Sequence, residues 1–400
     1  MAKVNLRDVN IGGKRVLVRV DFNVPLDGNQ QVSDDTRILA AIPTIEFLLS
    51  HGAAVVLMSH LGRPKGQRIA EMSLAPVACR LTELLGKPVC MAADCIGEEV
   101  SSQVRKLEPG QIILLENLRF YKEEESNDEE FSRALADLGE VYVNDAFGAA
   151  HRAHASTEGV THYLSPSLCG LLMEAEITYL QDALQNPARP FVAILGGAKI
   201  SGKIEVIDNL LDKVDTLIIG GGMSYTFFKS MGLEIGNSLL EEDRLDVARK
   251  VIDRCQEQGV DLLLPTDIIV ADGFSDSAQT SVVPREDMPI GWEGVDIGPE
   301  TRKLYSKRVA KAGTVIWNGP VGVFEIPAFA HGTRAVGEAL SSATKQGATS
   351  IIGGGDTAAA IVQMNYADAM THISTGGGAS LECMGGRILP GVAALTDKEV

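Results

Sequence analysis

Five apolar runs in the second half of this chain stop abruptly in glycine. Ile194-Leu195 leads into Gly196-Gly197, Leu217-Ile218-Ile219 into Gly220-Gly221-Gly222, and Val315-Ile316-Trp317-Asn318 into Gly319-Pro320. Ile351-Ile352 leads into Gly353-Gly354-Gly355-Asp356-Thr357, and His372-Ile373-Ser374-Thr375 into Gly376-Gly377-Gly378. Apolar runs of the first half end instead in Asp, Asn, His and Arg. Helix-like segments at 36–49, 74–85, 128–138 and 245–258 lie between many of the runs, and a further apolar run occupies 262–270. Alternating β and α segments predict an α/β fold of doubly wound, mainly parallel sheets with helices on both faces. Ligands of such sheets sit at the carboxyl ends of the strands. Glycine-lined ends let a backbone approach phosphates closely, whereas arginine-lined ends hold an anion through side-chain forks. The chain is therefore expected to carry two anion sites of different chemistry.

Four hundred residues exceed one ordinary core, so two domains of roughly 200 residues are expected. A helix over 171–184, with Leu172, Ala175, Tyr179 and Ala183 at helical spacing, meets a stop at Asn186-Pro187-Ala188-Arg189-Pro190. This places a first domain at 1–170, a connecting helix at 171–188 and a second domain at 189–380. Of 41 glycines, 28 follow residue 170, so the glycine chemistry belongs to the second half. No apolar run reaches the roughly 18 residues needed to span a bilayer, and the N-terminal residues show no secretory h-region. Six cysteines without CxxC or zinc spacing read as buried thiols of a reduced cytosol. A formal charge of −17 argues against nucleic acid or an acidic membrane as partner. It leaves small anions open, because screening makes local arginines decisive.

In Arg19-Val20-Asp21-Phe22-Asn23, strand alternation puts Arg19, Asp21 and Asn23 on one face. Arg19 reads as a strand residue paired to a carboxylate. Asp21 and Asn23 suit hydroxyl groups. Other runs end in Ser59-His60-Leu61-Gly62-Arg63, in Glu116-Asn117-Leu118-Arg119, and in Asn144-Asp145, which leads to His151-Arg152-Ala153-His154. Arg37 opens the first helix. A parallel sheet brings these residues to one edge, where guanidinium forks suit a small, multiply charged acid. His51 and His162 read as structural, and the histidine spacing does not suit a metal.

In the second half, Gly196-Gly197-Ala198-Lys199-Ile200-Ser201-Gly202-Lys203 follows a strand and is expected to open a helix carrying both lysines on one side. Its GxxxxGK match lacks the following Ser or Thr, so it is not a Walker motif. The remaining clusters contain no GxGxxG, which disfavours a nicotinamide-dependent dehydrogenase. The lack of an export signal disfavours a two-lobed solute-binding protein. Asp356 is a candidate Mg²⁺ partner on a nucleotide. Gly376 and Gly377 precede a helix start that could face a phosphoryl group in transfer, and Glu325 could accept from ribose hydroxyls.

Several long strings resemble one family. DFNVP at 21–25, SHLGRP at 59–64, LLENLRF at 114–120 and NDAFGAAHRAHAS at 144–156 are similar to phosphoglycerate kinases. So are ILGGAK at 194–199, IIGGGM at 218–223, DIGP at 296–299, WNGPVGVFE at 317–325, GGGDT at 353–357 and STGGGAS at 374–380. The resemblance implies two doubly wound domains with a hinge, and a tail at 381–400 that returns to the first domain. It implies a cytoplasmic monomer that transfers the acyl phosphate of 1,3-bisphosphoglycerate to ADP, giving ATP and 3-phosphoglycerate, with domain closure and Mg²⁺ bound to the nucleotide. It assigns Asp21, Asn23, Arg37, His60, Arg63, Arg119 and Arg152 to the acid. It assigns Lys203, Gly221, Gly222, Gly294, Asn318, Glu325, Gly354, Gly355, Asp356 and Thr357 to the nucleotide, and Arg37, Lys199, Lys203, Gly376 and Gly377 to the transfer itself. Two positions depart from the family pattern. Gly202 stands where Asp is usual, which is expected to loosen the helix start. Met384-Gly385-Gly386-Arg387 replaces the usual LEGK, and its extra glycine is expected to make the return segment more flexible.

Overall fold

The computed structural model describes residues 3–398 and divides into two compact units, Met1–Thr178 with Ile388–Val400, and Tyr179–Arg387. The division falls inside the helix Leu171–Gln185, which ends just ahead of Pro187.

The first unit is built on β1 (Arg15–Arg19), β2 (Ala54–Met58), β3 (Val89–Met91), β4 (Ile112–Leu114), β5 (Val141–Asn144) and β6 (Ser167–Cys169). They form one parallel sheet in the order β3-β4-β2-β1-β5-β6. The chain starts at the middle and winds outward both ways, so the strand order reverses at β1. Arg19 pairs in register with Met58 on one side and Asn144 on the other, aligning the carboxyl ends where the order reverses. β2 is buried at all five positions and β1 at four of five, as expected for strands covered on both faces. Val16, Val18, Val55, Leu57 and Val143 meet Ile38 and Leu48 of the helix Thr36–Ser50 in this core. β1 ends at Arg19, so Asp21 and Asn23 lie in the loop beyond it rather than on the strand. The C-terminal segment closes the same unit: Gly391 N–H donates to Ala150 O (2.8 Å), Asn144 Nδ2 to Gly391 O (3.2 Å), and Thr396 N–H to Ser167 O (3.0 Å).

The second unit contains β7 (Phe191–Leu195), β8 (Thr216–Ile219), β9 (Asp261–Leu263), β10 (Asp267–Ala271), β11 (Thr280–Pro284), β12 (Glu293–Ile297), β13 (Thr314–Asn318), β14 (Thr349–Gly353) and β15 (His372–Ile373). Six form a parallel sheet in the order β15-β14-β13-β7-β8-β9, and β11-β10-β12 form a separate antiparallel sheet. The order of the parallel sheet reverses between β7 and β13. The run at 262–270, read as one strand, is two strands in two sheets. Pro265 has no N–H for a ladder, and the next amide, Thr266 N–H, donates to Thr301 Oγ1 at 2.9 Å. Asp267 then accepts from Glu300 N–H (3.0 Å) and Thr301 N–H (2.7 Å), holding the start of the helix Pro299–Val309. No described helix is long and apolar enough to cross a membrane.

Candidate active site

The polar residues at the carboxyl edge of the first sheet are held by one another. Arg37 Nη1 donates to Asn23 O (2.9 Å) and lies 3.4 Å from Asp21 Oδ2. Asn23 Oδ1 accepts from Gly62 N–H at 2.8 Å, which fixes the loop after β1 to the turn after β2. Arg119 Nη1 donates to Gly62 O (2.9 Å) from the third strand end. Asn117 pins that end, accepting from Leu61 N–H (3.1 Å) and donating to Leu61 O (2.7 Å). Arg63 stands exposed one residue beyond Gly62. Arg152 Nε donates to His151 Nε2 at 3.1 Å, and its charge, like that of Arg119, acts on His154. The structure thus gathers Asp21, Asn23, Arg37, His60 and Arg119 through direct contacts.

Beneath them lies a buried network. Arg19, wholly buried, donates from Nε to Ser156 Oγ (2.8 Å) and from Nη2 to His60 Nδ1 (3.1 Å). Ser156 donates its hydroxyl to Glu124 Oε1 (2.6 Å) and its N–H to Glu124 Oε2 (3.0 Å). The carboxylate partner expected for Arg19 is therefore reached through a serine. A guanidinium has no acceptor, so His60 Nδ1 accepts and the ring is the neutral Nε2–H tautomer. Burial, followed by the charges of Arg19, Arg119 and Arg37, holds the His60 pKa well below its ordinary value. Burial and the surrounding arginines push His154 down to about 3. Positive charge in this site comes from guanidiniums alone. Glu124 lies in none of the family strings, and Ser156 closes one of them without being assigned a role.

In the second unit the glycine clusters separate into two kinds. A Cβ on Gly196 would lie 2.1 Å from Pro320 O, and one on Gly319 would lie 2.3 Å from Gly196 O. One on Gly221 would lie 2.7 Å from Gly197 N. These clusters are glycine because the ends of β7, β8 and β13 pack backbone on backbone. Their amides are engaged accordingly: Gly197 N–H donates to Pro320 O (2.8 Å), Gly221 N–H to Val321 O (3.1 Å), and Gly319 N–H to Thr357 Oγ1 (2.6 Å). Thr357 is wholly buried in that role. Gly355, Gly377 and Gly202 are different, since a Cβ there would meet nothing within 4 Å. Gly354 and Gly355 begin the helix Gly355–Gln363, whose first turn directs amides outward beside the exposed Asp356. Asn318 Nδ2 is buried without a hydrogen-bond partner, 3.1 Å from where a Gly354 Cβ would stand. Gly376 N–H donates to Ser374 Oγ (3.2 Å) at the entry to the helix Gly378–Met384.

A cleft of about 230 Å³ opens beside these loops. Gly221, Gly222, Gly294, Glu325 and Asp356 line it, as do Tyr225, Leu239 and Phe274, which no motif marks. Ser238 Oγ accepts from Gly294 N–H at 2.9 Å. Lys203 reaches this neighbourhood, with Nζ 3.5 Å from a Gly197 Cβ position; burial lowers its pKa against the opposing charge of Asp356.

The lysine segment is not a helix with both lysines on one side. Lys199 lies exposed in the turn before the 3-10 turn Ser201–Lys203, and the helix proper is Ile204–Leu211. Two amides of that turn already have an anionic partner, since Glu241 Oε2 accepts from Ile200 N–H (2.6 Å) and Ser201 N–H (3.1 Å). At the return segment, Gly385 has an ordinary helical φ of −72°, and Gly386 takes the left-handed φ of 78°. Arg387 N–H donates to Glu382 O (3.0 Å), and the Arg387 side chain pairs with Glu205 across this turn.

The described residues contain no group of three or more His, Cys, Asp or Glu able to hold a metal. Asp356 is an exposed carboxylate lining the cleft beside the start of the helix Gly355–Gln363, a donor of the kind Mg²⁺ takes singly or in pairs before completing its shell with phosphates and water.

Comparison with known proteins agrees with this fold. The family model described as phosphoglycerate kinase matches residues 6–387. Phosphoglycerate kinase of Chloroherpeton thalassium is 58% identical over 398 residues, covering 99% of this chain and all of that one. That of Synechococcus elongatus is 57% identical over 393 residues, covering 98% of both. Among solved structures, phosphoglycerate kinase from Coxiella burnetii superposes with a TM-score of 0.88 at 43% identity, and that from Pyrococcus horikoshii with 0.84 at 30%; each comparison covers 98% of both chains. With a sequence match this extensive and the same two-sheet architecture, the chain belongs to the phosphoglycerate kinase family, nucleotide-dependent phosphotransferases that use a carboxyl group as acceptor.

Proposed function

We propose that this chain transfers the acyl phosphate of 1,3-bisphosphoglycerate to ADP, reversibly, with the acid on the first unit and the nucleotide on the second. The observation that carries the reading is the contrast between the two sheet edges. One is lined by arginines and two neutral imidazoles; the other is a cleft beside a glycine-rich helix start and Asp356. In the step, the bond between phosphorus and the carboxyl oxygen breaks, and a bond forms to a terminal β-phosphate oxygen of ADP. No acid–base dyad is needed, because such transfer is mostly positioning and charge stabilisation. Direct transfer also requires the two bound substrates to meet in each cycle.

Arg119, Arg152, Arg63 and His60 would hold the acid substrate, with Asp21 and Asn23 receiving its hydroxyl. Arg37, kept in place by Asp21 and Asn23, would face the moving phosphoryl group, as would Lys199, Lys203 and the Gly376-Gly377 turn. Gly221, Gly222 and Gly294 would line the base, and Glu325 the ribose. Asn318, Gly354, Gly355 and Thr357 would shape the phosphate end, where the unpartnered Asn318 amide suits an incoming acceptor. Asp356 would hold Mg²⁺, which when bound offsets charge on the nucleotide phosphates. The reading includes a cytoplasmic monomer that does not bind nucleic acid or membrane, in keeping with the net charge of −17. Mixing the protein with ADP, Mg²⁺ and 1,3-bisphosphoglycerate should yield ATP and 3-phosphoglycerate in equal amounts. ATP at the level of a protein-free control would refute the proposal.

A further inference from the structure

We propose that Glu241 is a positioning residue for the reaction: by fixing the Ile200-Ser201 backbone it sets where Lys199 and Lys203 stand over the phosphates. This rests on the role given to the two lysines above.

The lysine turn has few supports of its own. Lys199, Ser201 and Gly202 are exposed, and space beyond Gly202 is open. Neither Ile200, at the start of the 3-10 turn, nor Lys203, at the start of the following helix, caps it with a side chain. The Ile200 side chain is buried and anchors one end, and Lys203 N–H donates to Ile200 O at 2.8 Å. Orphan amides at such a start need an acceptor. Glu241, 41 residues from Ile200, supplies it with one oxygen at 2.6 and 3.1 Å. Burial works against ionisation of Glu241, but the Ser201 hydroxyl, the two amides and Lys199 together hold its pKa below the usual range. The acceptor is therefore a carboxylate at neutral pH.

Glu241 is itself placed by the cleft. Its N–H donates to Thr226 Oγ1 (3.3 Å) in the helix Met223–Ser230, and Thr226 is buried. Three residues earlier, Ser238 holds the Gly294 amide. Between them Leu239 lines the cleft, with Cδ1 3.0 Å from where a Gly222 Cβ would stand. The strap 238–241 thus touches the base end of the cleft at one side and the lysine turn at the other. Because Glu241 occupies the turn's amides, contact with phosphate at this station falls to the lysine side chains, and their position depends on the strap.

The test is steady-state kinetics of the full chain with Glu241→Ala, Glu241→Asp, Glu241→Gln, Lys199→Ala, Lys203→Ala and the double variant Glu241→Ala/Lys203→Ala. Misplacing a positioned group by about 1 Å can cost on the order of 100-fold, so Glu241→Ala should lower kcat by roughly 10- to 100-fold. KM for 1,3-bisphosphoglycerate should stay at the parental value. Glu241→Gln should recover most of kcat, since its carbonyl can accept the same two N–H groups. Glu241→Asp, one methylene short, should fall between. Coupled residues are non-additive, so the double variant should lose less than the product of the two single losses, because the part of the Glu241 effect that acts through Lys203 is already gone. A parental kcat in Glu241→Asp and Glu241→Ala would overturn the proposal. So would a double variant whose loss is the product of the single losses. If Glu241→Ala does not fold, the Asp and Gln variants decide. Should Lys199→Ala and Lys203→Ala both keep parental kcat, the lysine assignment fails; should they collapse while the Glu241 variants do not, only the role of Glu241 fails.

Discussion

Gly294 has no room for a side chain. A Cβ there would lie 1.9 Å from the Tyr225 hydroxyl, and Tyr225 is buried in the wall of the cleft. Overpacking of this kind costs about 1–3 kcal/mol. Gly294→Ala should therefore lower stability and, by pushing Tyr225 into the cleft, raise KM for ADP at least severalfold. KM for 1,3-bisphosphoglycerate should stay put, and an unchanged KM for ADP would show that Gly294 does not border the nucleotide. At this scale the sequence was legible where polar side chains gather. Asp21, Asn23, His60 and Arg119 follow apolar runs, Arg37 opens the first helix, and the five meet through direct contacts. It was less legible where glycine serves packing. Gly196, Gly221 and Gly319 read as openings for phosphate but are contacts between strand ends far apart in sequence. Gly202, the departure from the family pattern, has open space around it and φ outside the left-handed region, so nothing local requires glycine there.

Strands and helices here are joined by buried carboxylates. Asp296, in β12, accepts from Gly332 N–H (2.7 Å) at the start of the helix His331–Lys345 and from Ile297 N–H (2.8 Å). Burial lifts its pKa to about 8, against the pull of those amides and of Arg302. The folded state therefore holds a proton that the unfolded chain, with an ordinary Asp, has already released. That contribution to stability is complete at low pH and is lost as pH rises through 8. The slope can reach about 1.4 kcal/mol per pH unit. Urea unfolding followed by tryptophan fluorescence should show falling stability between pH 7 and 8, flattening above 9. Asp296→Asn should remove that slope; a slope unchanged by the substitution would assign it elsewhere. The alternation of elements was readable from the apolar runs, but not the split of 262–270 into β9 and β10. That split depends on Asp267 and Thr266 engaging a helix some 35 residues later, which no local pattern records.

Over the whole molecule, an excess of acidic residues is compatible with the two proposed anion sites, because each would draw on local donors. Both tryptophans, Trp292 and Trp317, lie in the second unit. Thermal unfolding by tryptophan fluorescence thus reports that unit, while far-UV circular dichroism reports both. Ligand that binds only the folded form raises the midpoint by mass action. Mg²⁺ and ADP should shift the fluorescence transition. 3-Phosphoglycerate alone should shift the part of the dichroism transition that fluorescence does not follow; the reverse pattern would exchange the two substrates. The family strings made the two-sheet architecture readable from the chain, whereas the contacts beneath the candidate sites, Arg19 with Ser156 and Glu124 in one unit and the 238–241 strap in the other, emerge only in the fold. The most direct test of the account is Arg37→Ala, because Arg37 belongs to the first unit, proposed to bind the acid, yet is assigned to the transfer itself. Turnover should fall by orders of magnitude while the Kd for ADP, measured by calorimetry, stays within about twofold. Equal losses in turnover and ADP affinity would contradict it.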